Sequence, residues 1–332
     1  MKSLQIQQSE PIENNPLKIV ESNTSKPEVS QILIQIHTCA ICRTDLHIIE
    51  GELSQKKSPL VPGHQIVGIV ERVGEKVTKH KIGDRVGVPW LYSTCGVCDF
   101  CKKGSENLCN DAKFTGYDVD GGYAEYMVAK ENFAYKIPER FSDVEAAPLL
   151  CAGIIGFRAL RLSNIKPGER LGLYGFGASA HIAIQVAKHW GCEVLVFSRS
   201  EKHKKLAEEL GATWVGSADE VPPFLLDSAI SFAPAGELVP KALKVMCKGG
   251  TLALAGIYVS SIPQLDYNLL YHERTIRSVA NSTRQDAIDF LKVAAGIPVK
   301  TEVEVFPLEE ANRALQLLKA SKINGAGVLV VK

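Results

Sequence analysis

Two patterns of apolar and polar positions divide the chain near residue 153. Before this point, short β-type runs such as QILIQIHTC, QIVGIVERVG and DRVGVPW are separated by glycine and proline, which predicts strands of an irregular, mostly antiparallel domain. After it, short apolar runs at 171–174 and 194–197 flank alanine and isoleucine residues at helical spacing between 180 and 187. Strands that alternate with helices in this way predict a parallel sheet.

The end of the chain returns to a mixed pattern. RQDAIDFLKVAAG and EEANRALQLLKAS have helical spacing, and VEVFPL and AGVLVVK are typical of strands. The longest apolar run, AAPLLCAGIIGF at 146–157, is interrupted by proline and glycine. A bilayer needs about 20 apolar residues, so we interpret this run as buried core and expect no membrane association.

Composition adds limits to this picture. A chain of 332 residues with 45% hydrophobic and 23% charged residues is expected to form about two globular domains. The formal net charge is only +1 and no basic block is present, so no nucleic-acid partner is expected. The first residues, MKSLQIQQSEPIE, lack the apolar core of a secretory signal, so the expected location is the cytoplasm. Thiols stay reduced there, and clustered cysteines are then metal ligands rather than disulfides.

A glycine-rich turn, GFGASA, joins the first predicted strand of the second region to a predicted helix. Gly175, Gly177 and Ala180 fit the G-x-G-x-x-(G/A) pattern, with Ala178 inside the turn. The first glycine permits the tight turn, the second lets backbone approach a pyrophosphate, and the third small residue lets helix and strand pack closely. The turn predicts a dinucleotide-binding site; the alternative is an ordinary glycine turn.

The second strand of this unit ends without the acidic residue that usually contacts the ribose of NAD. Ser198, Arg199 and Ser200 stand in that region instead. A carboxylate there would repel a 2′-phosphate, whereas hydroxyl and guanidinium groups can bind one. The sequence therefore favours NADP(H) over NAD(H). The alternative is that Arg199 only faces solvent.

Four cysteines within fifteen residues, in CGVCDFCKKGSENLC, form the clearest metal pattern. Bacterial iron–sulfur runs end C-x3-C-P, but here the last gap is seven residues and asparagine comes next. Four thiolates on one loop suit tetrahedral zinc, and a site with four protein ligands has no open position for chemistry. The predicted ligands of this structural zinc are Cys95, Cys98, Cys101 and Cys109.

Two of the five other cysteines, with one histidine, provide the ligand types of a second metal site. Cys42 lies in CRTDLH, His64 in PGHQIVG and Cys151 in LLCAG. Two thiolates and one imidazole with an open fourth position are the ligands of a catalytic zinc of the alcohol dehydrogenase type. Their spacing does not bring them together, and Cys151 taken alone is better explained as a small buried apolar residue.

The ordered set CRTDLH, PGHQIVG, CGVCDFCKKGSENLC, LLCAGIIGFRAL and GFGASA resembles the zinc-dependent alcohol dehydrogenases of the medium-chain dehydrogenase/reductase family, over essentially the whole chain. The resemblance implies an α/β protein with two domains. One is a GroES-like, mostly-β catalytic domain formed by residues 1-152 and 286-332. The other, residues 153-285, is a Rossmann domain with a doubly wound parallel sheet for the cofactor.

The same resemblance implies the roles of the site residues. Cys42, His64 and Cys151 would bind a catalytic zinc, so that with the cysteine loop each chain would hold two zinc ions. Thr44 would hydrogen-bond the substrate alcohol, and His47 would pass its proton onward through the cofactor ribose.

Further roles and departures concern residues around these ligands. Arg43 would lie against the pyrophosphate, and Asp45 would orient the zinc-binding histidine. Many relatives have glutamate where this chain has Gln65, a poorer alternative zinc ligand. Ala326 stands roughly where relatives often have a cofactor-binding arginine. Trp90 matches a bulky aromatic that narrows the substrate pocket; the alternative is that it is ordinary core.

The expected function is reversible hydride transfer between a small primary alcohol or aldehyde and a nicotinamide cofactor. One alternative is an aldehyde reductase acting on larger or aromatic aldehydes. A zinc-free quinone reductase of the same fold and a non-catalytic zinc-binding module are the remaining alternatives. By analogy with the family, a homodimer or homotetramer is expected.

Overall fold

The structure is a computed structural model that describes residues 1–332. The strands are β1 Lys2–Gln5, β2 Lys18–Glu21, β3 Gln31–Ala40, β4 Ile66–Val73, β5 Arg85–Val88, β6 Leu91–Ser93, β7 Lys113–Phe114, β8 Tyr126–Lys130, β9 Tyr135–Lys136, β10 Arg170–Tyr174, β11 Glu193–Phe197, β12 Trp214–Gly216, β13 Leu226–Ser231, β14 Met246–Leu254, β15 Thr275–Ser278, β16 Val303–Pro307 and β17 Ala326–Val330. The α-helices are α1 Arg43–Ile49, α2 Asp99–Lys102, α3 Asp143–Ala146, α4 Ala152–Leu162, α5 Ala178–His189, α6 Glu201–Glu209, α7 Leu238–Lys244, α8 Arg284–Gly296 and α9 Ala311–Lys319.

The first unit is built around a seven-stranded sheet. Its order is β16-β17-β3-β4-β5-β9, with β8 also paired to β3. Pairing is antiparallel except between β16 and β17, which agrees with the predicted antiparallel domain. Strand β3 is central because it pairs with β17, β4 and β8, and its isoleucines at 32, 34 and 36 are fully buried. Strands from both ends of the chain thus share one core.

The second unit contains a six-stranded sheet that is parallel throughout. Its order, β12-β11-β10-β13-β14-β15, runs outward in both directions from β10. This is the strand order of the doubly wound dinucleotide-binding fold, in which ligands bind at the carboxyl ends of the strands where the order reverses. The predicted strands at 171–174 and 194–197 lie within β10 and β11, and the predicted helix is α5. The predicted α/β class is confirmed.

The chain divides into two compact units, each formed from more than one stretch of the sequence. The first unit comprises residues 1–151, 282–291 and 301–332, and the second comprises 152–281 and 292–300. Arg284 belongs to the first unit because its backbone and side chain both donate to the buried carboxylate of Glu106. Lys300 belongs to the second because its backbone exchanges two hydrogen bonds with the side chain of Gln185. These bonds are made across long stretches of chain, so local patterns do not reveal them.

We expect the pair formed by Glu106 and Arg284 to stabilise the first unit. Replacing Glu106 with glutamine removes the negative charge that Arg284 contacts at 2.6 and 2.8 Å. Breaking a charge-assisted pair of this kind, partly open to solvent on the arginine side, costs about 2 kcal/mol. Urea unfolding of Glu106→Gln should report this loss.

The matched control, Asp99→Asn, changes an exposed acid of the same loop and should shift the free energy of unfolding by less than about 0.5 kcal/mol. Equal effects of the two changes would contradict this stabilising role.

Candidate functional site

Cys42, His64 and Cys151 come from three separate stretches of the first unit and meet in space. Cys42 caps the N-terminus of α1, His64 precedes β4, and Cys151 follows a short 3-10 helix. The two sulfurs and a ring nitrogen of His64 lie within 4.8 Å of one another. The fold therefore brings together the three residues that spacing alone could not connect.

The carboxylate of Asp45 fixes two of these residues relative to each other. Its Oδ1 lies 2.9 Å from His64 Nδ1, and its Oδ2 accepts a hydrogen bond of 2.8 Å from the Cys42 backbone. Both Asp45 and His64 are buried, and the Nε2 of His64 has no hydrogen-bond partner. A buried polar atom without a partner is uncommon, and an imidazole nitrogen beside two sulfurs matches the donor set of zinc.

The electrostatics of this cluster favour a positive charge at its centre. Burial opposes a charge on His64, but the negative charges of Asp45 and Cys42 outweigh it and raise the pKa of His64 to about 10. A hydrogen bond from Cys151 lowers the pKa of the Cys42 thiol well below its usual range although burial opposes this, and His64 lowers it further. A divalent cation would provide the same compensation for these buried negative groups.

Helix α1 also carries the two residues that are expected to handle the proton. Thr44 is buried, and its Oγ1 lies 3.6 Å from the Sγ of Cys42. His47 lies about one turn further along the helix, and its Nδ1 contacts the carboxylate of Glu52. The side chain of Glu52 is 43% exposed, against 14% for His47, so this pair reaches solvent at Glu52.

The neighbouring Arg43 and Gln65 have protein partners of their own. The Nη2 of Arg43 donates to the Leu318 carbonyl and, at 2.9 Å, to the Ser321 hydroxyl. Gln65 is buried and its Nε2 donates to the Ile41 carbonyl at 3.2 Å. An amide held in this way is a neutral structural group where a carboxylate would add negative charge beside His64.

The four cysteines of the loop form a second convergent cluster. Their sulfurs all lie within 4.8 Å of one another, and Cys95 Sγ lies 3.5 Å from Cys109 Sγ and 3.9 Å from Cys101 Sγ. All four are free thiols. A tetrahedron with Zn–S bonds of 2.3 Å has edges of about 3.8 Å, so these separations fit zinc. Backbone N–H groups of Val97 and Cys98 lower the pKa of Cys95 to about 6, which favours the ligating thiolate.

The glycine turn of the second unit has the geometry that the dinucleotide pattern requires. Gly175 follows β10 with φ +83°, and a Cβ there would approach the backbone nitrogen of Ala233 to 3.1 Å. Gly177 caps α5 and has nothing within 4 Å of the position a Cβ would take, so a ligand has room beside its backbone. Ala178 is the first residue of α5, and Ala180 is fully buried.

The predicted recognition residues for the ribose lie between β11 and α6. The Ser198 hydroxyl accepts a hydrogen bond from the Ser200 backbone, and the Ser200 hydroxyl accepts one from the His203 backbone. Arg199 is exposed, and no carboxylate comes after β11 before Glu201 at the start of α6. Both hydroxyls keep their own hydrogens for donation, because each acts as acceptor in these bonds.

Trp90 belongs to an aromatic group that touches the first cluster. Its ring lies edge-on to His64 with centroids 4.8 Å apart, and stacks on Phe114 at 5.1 Å and on Tyr117 at 5.9 Å. Trp90 is 9% exposed, so this face is almost closed to water. The prediction of a bulky aromatic beside the zinc-binding residues named only Trp90, because Phe114 and Tyr117 carry no motif.

The comparisons with known proteins agree with this geometry. Residues 28–139 match the alcohol dehydrogenase GroES-like domain, and residues 180–295 match the zinc-binding dehydrogenase domain. The probable alcohol dehydrogenase AdhA of Mycobacterium tuberculosis is 46% identical over 100% of this chain and 97% of its own length. This chain belongs to the zinc-dependent alcohol dehydrogenases of the medium-chain dehydrogenase/reductase family. The alcohol dehydrogenase is thus an oxidoreductase that uses zinc and a nicotinamide cofactor.

Solved structures of the same fold include two that bear on substrate and cofactor. A cinnamyl alcohol dehydrogenase from Sorghum bicolor has a TM-score of 0.91 and 26% identity, covering 99% of this alcohol dehydrogenase and 97% of that chain. The CAD from Helicobacter pylori complexed with NADP(H) has a TM-score of 0.89 and 26% identity, with the same coverages. The GroES-like and Rossmann folds are confirmed.

Sequence reasoning missed one residue of the first cluster. The hydroxyl of Tyr123 donates to Asp45 Oδ2 at 3.0 Å, and the side chain is fully buried. Tyr123 stands in GGYAEY, far along the chain from Cys42 and His64, and only the fold brings it to them.

No helix of this alcohol dehydrogenase has the length and apolar character needed to cross a membrane.

Proposed function

We propose that the protein interconverts small primary alcohols and aldehydes, using a catalytic zinc at Cys42, His64 and Cys151 and NADP(H) as the preferred cofactor. The observation that carries this proposal is the buried Nε2 of His64. It has no hydrogen-bond partner and lies in a cluster with two sulfurs. Three protein ligands leave a fourth position for substrate, as in catalytic zinc sites.

The residues of the chain have separate tasks in this reaction. Bound zinc supplies a Lewis acid that polarises the substrate oxygen. Thr44 hydrogen-bonds the substrate hydroxyl and receives its proton, and His47 moves that proton on towards Glu52 and solvent. Oxidation of one alcohol therefore gives one aldehyde, one reduced nicotinamide and one proton. An imidazole can accept a proton at one ring nitrogen and donate one from the other, so His47 can carry the proton in either direction.

The cysteine loop has a structural task in the proposal. Cys95, Cys98, Cys101 and Cys109 provide four thiolates and so leave no position for substrate. Two zinc ions per chain would then be bound, one for chemistry and one for the shape of the loop.

Zinc analysis of serine variants tests both assignments. Cys42→Ser should leave one zinc per folded chain and lower kcat/KM by about a thousandfold, since several kcal/mol of transition-state stabilisation are lost. Cys98→Ser should also leave one zinc, but chiefly lower the unfolding temperature or disturb assembly. The matched control is Cys247→Ser, which changes a cysteine outside both clusters and should retain two zinc ions.

A folded Cys42→Ser variant with two zinc ions and full activity would refute the catalytic assignment. Two zinc ions per wild-type chain also separate the proposal from a zinc-free quinone reductase and from a module with one zinc.

The preference for NADP(H) rests on the three residues between β11 and α6. Ser198 and Ser200 can each donate a hydroxyl hydrogen, and exposed Arg199 provides a positive charge for a 2′-phosphate. The NADP(H) complex of the Helicobacter pylori relative is an example of this fold with NADP(H) bound.

Cofactor kinetics test this preference. Wild-type enzyme should have a higher kcat/KM with NADP than with NAD. Arg199→Ala should lower kcat/KM for NADP roughly 10- to 100-fold, the loss of one or two charge-assisted hydrogen bonds, and leave NAD almost unchanged. Lys205→Ala is the control, because it removes an exposed positive charge from α6 without reaching the strand end. A wild-type preference for NAD would refute the proposed preference for NADP(H). An equal loss of kcat/KM with both cofactors in Arg199→Ala would also refute it.

Trp90 supports small substrates, because its large ring lies against His64 and is held by Phe114 and Tyr117. A second candidate is the reduction of larger or aromatic aldehydes. The Sorghum bicolor relative favours it, since cinnamyl alcohol is a bulky aromatic substrate.

A ratio of rates separates these candidates. Wild-type enzyme should have the higher kcat/KM with ethanol, and Trp90→Ala should raise the ratio of benzyl alcohol to ethanol about tenfold, the specificity that one or two apolar contacts provide. The ratio within one variant cancels any loss of active protein. A wild-type enzyme that prefers benzyl alcohol, with an unchanged ratio in Trp90→Ala, would favour the second candidate.

The family resemblance further supports a homodimer or homotetramer, which light scattering of the purified chain would distinguish.

A further inference from the structure

Tyr123 lies where two loops of the first unit run side by side. The backbone nitrogens of Gly122 and Tyr123 donate to the carbonyls of Gly63 and Pro62, each at 3.0 Å. The Tyr123 carbonyl accepts from the Leu4 backbone at 2.8 Å, and its side chain is 0% exposed. These backbone hydrogen bonds hold Tyr123 in place independently of its side chain.

The hydroxyl of Tyr123 completes the bonding of Asp45. It donates to Oδ2 at 3.0 Å, and the same oxygen accepts from the Cys42 backbone at 2.8 Å. The other oxygen faces His64 Nδ1 at 2.9 Å. Burial, and then the charge of Asp45, raise the pKa of the Tyr123 phenol, so that it remains a hydrogen-bond donor. A carboxylate with three partners from three chain segments has little freedom to rotate.

The ring of Tyr123 also lies against Gly63, the residue before His64. Gly63 directly precedes His64 and has φ +95°, and a Cβ there would lie 2.4 Å from the Cδ1 of Tyr123. The ring thus occupies the space over a residue that only glycine fits. One side chain holds the backbone before His64 with its ring and the partner of His64 with its hydroxyl.

We propose that Tyr123 is a positioning residue for the zinc site, acting through Asp45 and Gly63 on His64. The inference rests on the proposed zinc binding by Cys42, His64 and Cys151. Groups that orient a metal-binding histidine typically change metal affinity 10- to 100-fold when they are removed. Tyr123 is one bond further from the metal than Asp45, so we expect about a tenfold effect, at the lower end of that range.

The variant Tyr123→Phe tests the hydroxyl and keeps the ring on Gly63. Its matched control is Tyr92→Phe, because Tyr92 is also buried in the first unit and its hydroxyl also has one bond, from Gln31. Both variants lose one buried hydroxyl and one hydrogen bond. Any effect of general destabilisation should therefore appear in both.

The measurement is zinc loss from the full-length holoenzyme to a chelator such as dipicolinate. Wild-type protein should release two zinc ions in separate phases, and the phase missing in Cys42→Ser belongs to the catalytic site. Tyr123→Phe should speed that phase, or weaken that site in equilibrium competition, about tenfold and leave the other phase unchanged. Tyr92→Phe should alter neither phase. No change in Tyr123→Phe, or equal changes in both tyrosine variants, would overturn the role of Tyr123.

Failure of the proposed function would look different, because Cys42→Ser would then leave both phases in place. A double-mutant cycle with Asp45→Asn tests the route of the effect. If the hydroxyl acts through Asp45, Tyr123→Phe should add less than twofold to the zinc loss of Asp45→Asn. Full additivity of the two changes would overturn that route.

The visible spectrum of the Co2+-substituted enzyme provides a second readout that general destabilisation would not move. Tyr123→Phe should shift the absorption of cobalt in the catalytic site relative to Tyr92→Phe. Identical spectra in the two variants, together with unchanged zinc loss, would overturn the proposal.

Discussion

The buried carboxylate of Asp45 is the interaction on which the chemistry of the first unit depends. A charged group with no exposure to solvent is costly unless each of its oxygens is hydrogen-bonded. Asp45 meets this demand with the Cys42 backbone, the His64 ring and the Tyr123 hydroxyl, which come from three separate stretches of the chain. Satisfying one buried charge therefore fixes the relative position of two of the three residues in the candidate catalytic cluster.

The stretches that carry Cys42 and His64 adjoin two paired strands of the first unit. Cys42 lies two residues after the end of β3, the central strand of the seven-stranded sheet, and is the N-cap of α1. Gly63 makes the turn that delivers His64 to β4, and β3 and β4 are paired along most of their length. Paired strands hold their ends in a fixed register, so the candidate ligands Cys42 and His64 are held in fixed relative positions by the sheet.

Local patterns predicted those parts of the structure that depend on neighbouring residues. The turn at Gly175, the strands beside it and the spacing of the four loop cysteines are all short-range features, and the fold class was inferred from them. The meeting of Cys42, His64 and Cys151 needed the family resemblance, because nothing within each motif points to the others. Tyr123 was missed for the same physical reason: its hydrogen bond to the buried carboxylate joins residues 78 positions apart. The helical spacing of α8 is visible in the local sequence. The assignment of its first residues to the first unit is not, because it depends on a hydrogen bond between Arg284 and Glu106, which are 178 positions apart.

The two cysteine clusters differ in how far their members find hydrogen-bond partners within the protein. In the loop, Cys95, Cys98 and Cys101 are partly exposed, and the sulfurs find bonding partners among themselves and in nearby backbone N–H groups. In the other cluster, Cys42 and Cys151 are also partly exposed, but His64 and Asp45 are buried, and the Nε2 of His64 has no hydrogen-bond partner. Four thiolates complete the tetrahedral coordination of a zinc ion. Three protein ligands leave one coordination position open for a substrate. Burial of His64 and Asp45 strengthens the charge interaction between these two groups, because the local dielectric is low. Trp90, which stacks on Phe114 and Tyr117, lies edge-on to the His64 ring, and Asp45, which accepts a hydrogen bond from Tyr123, faces the Nδ1 of the same ring.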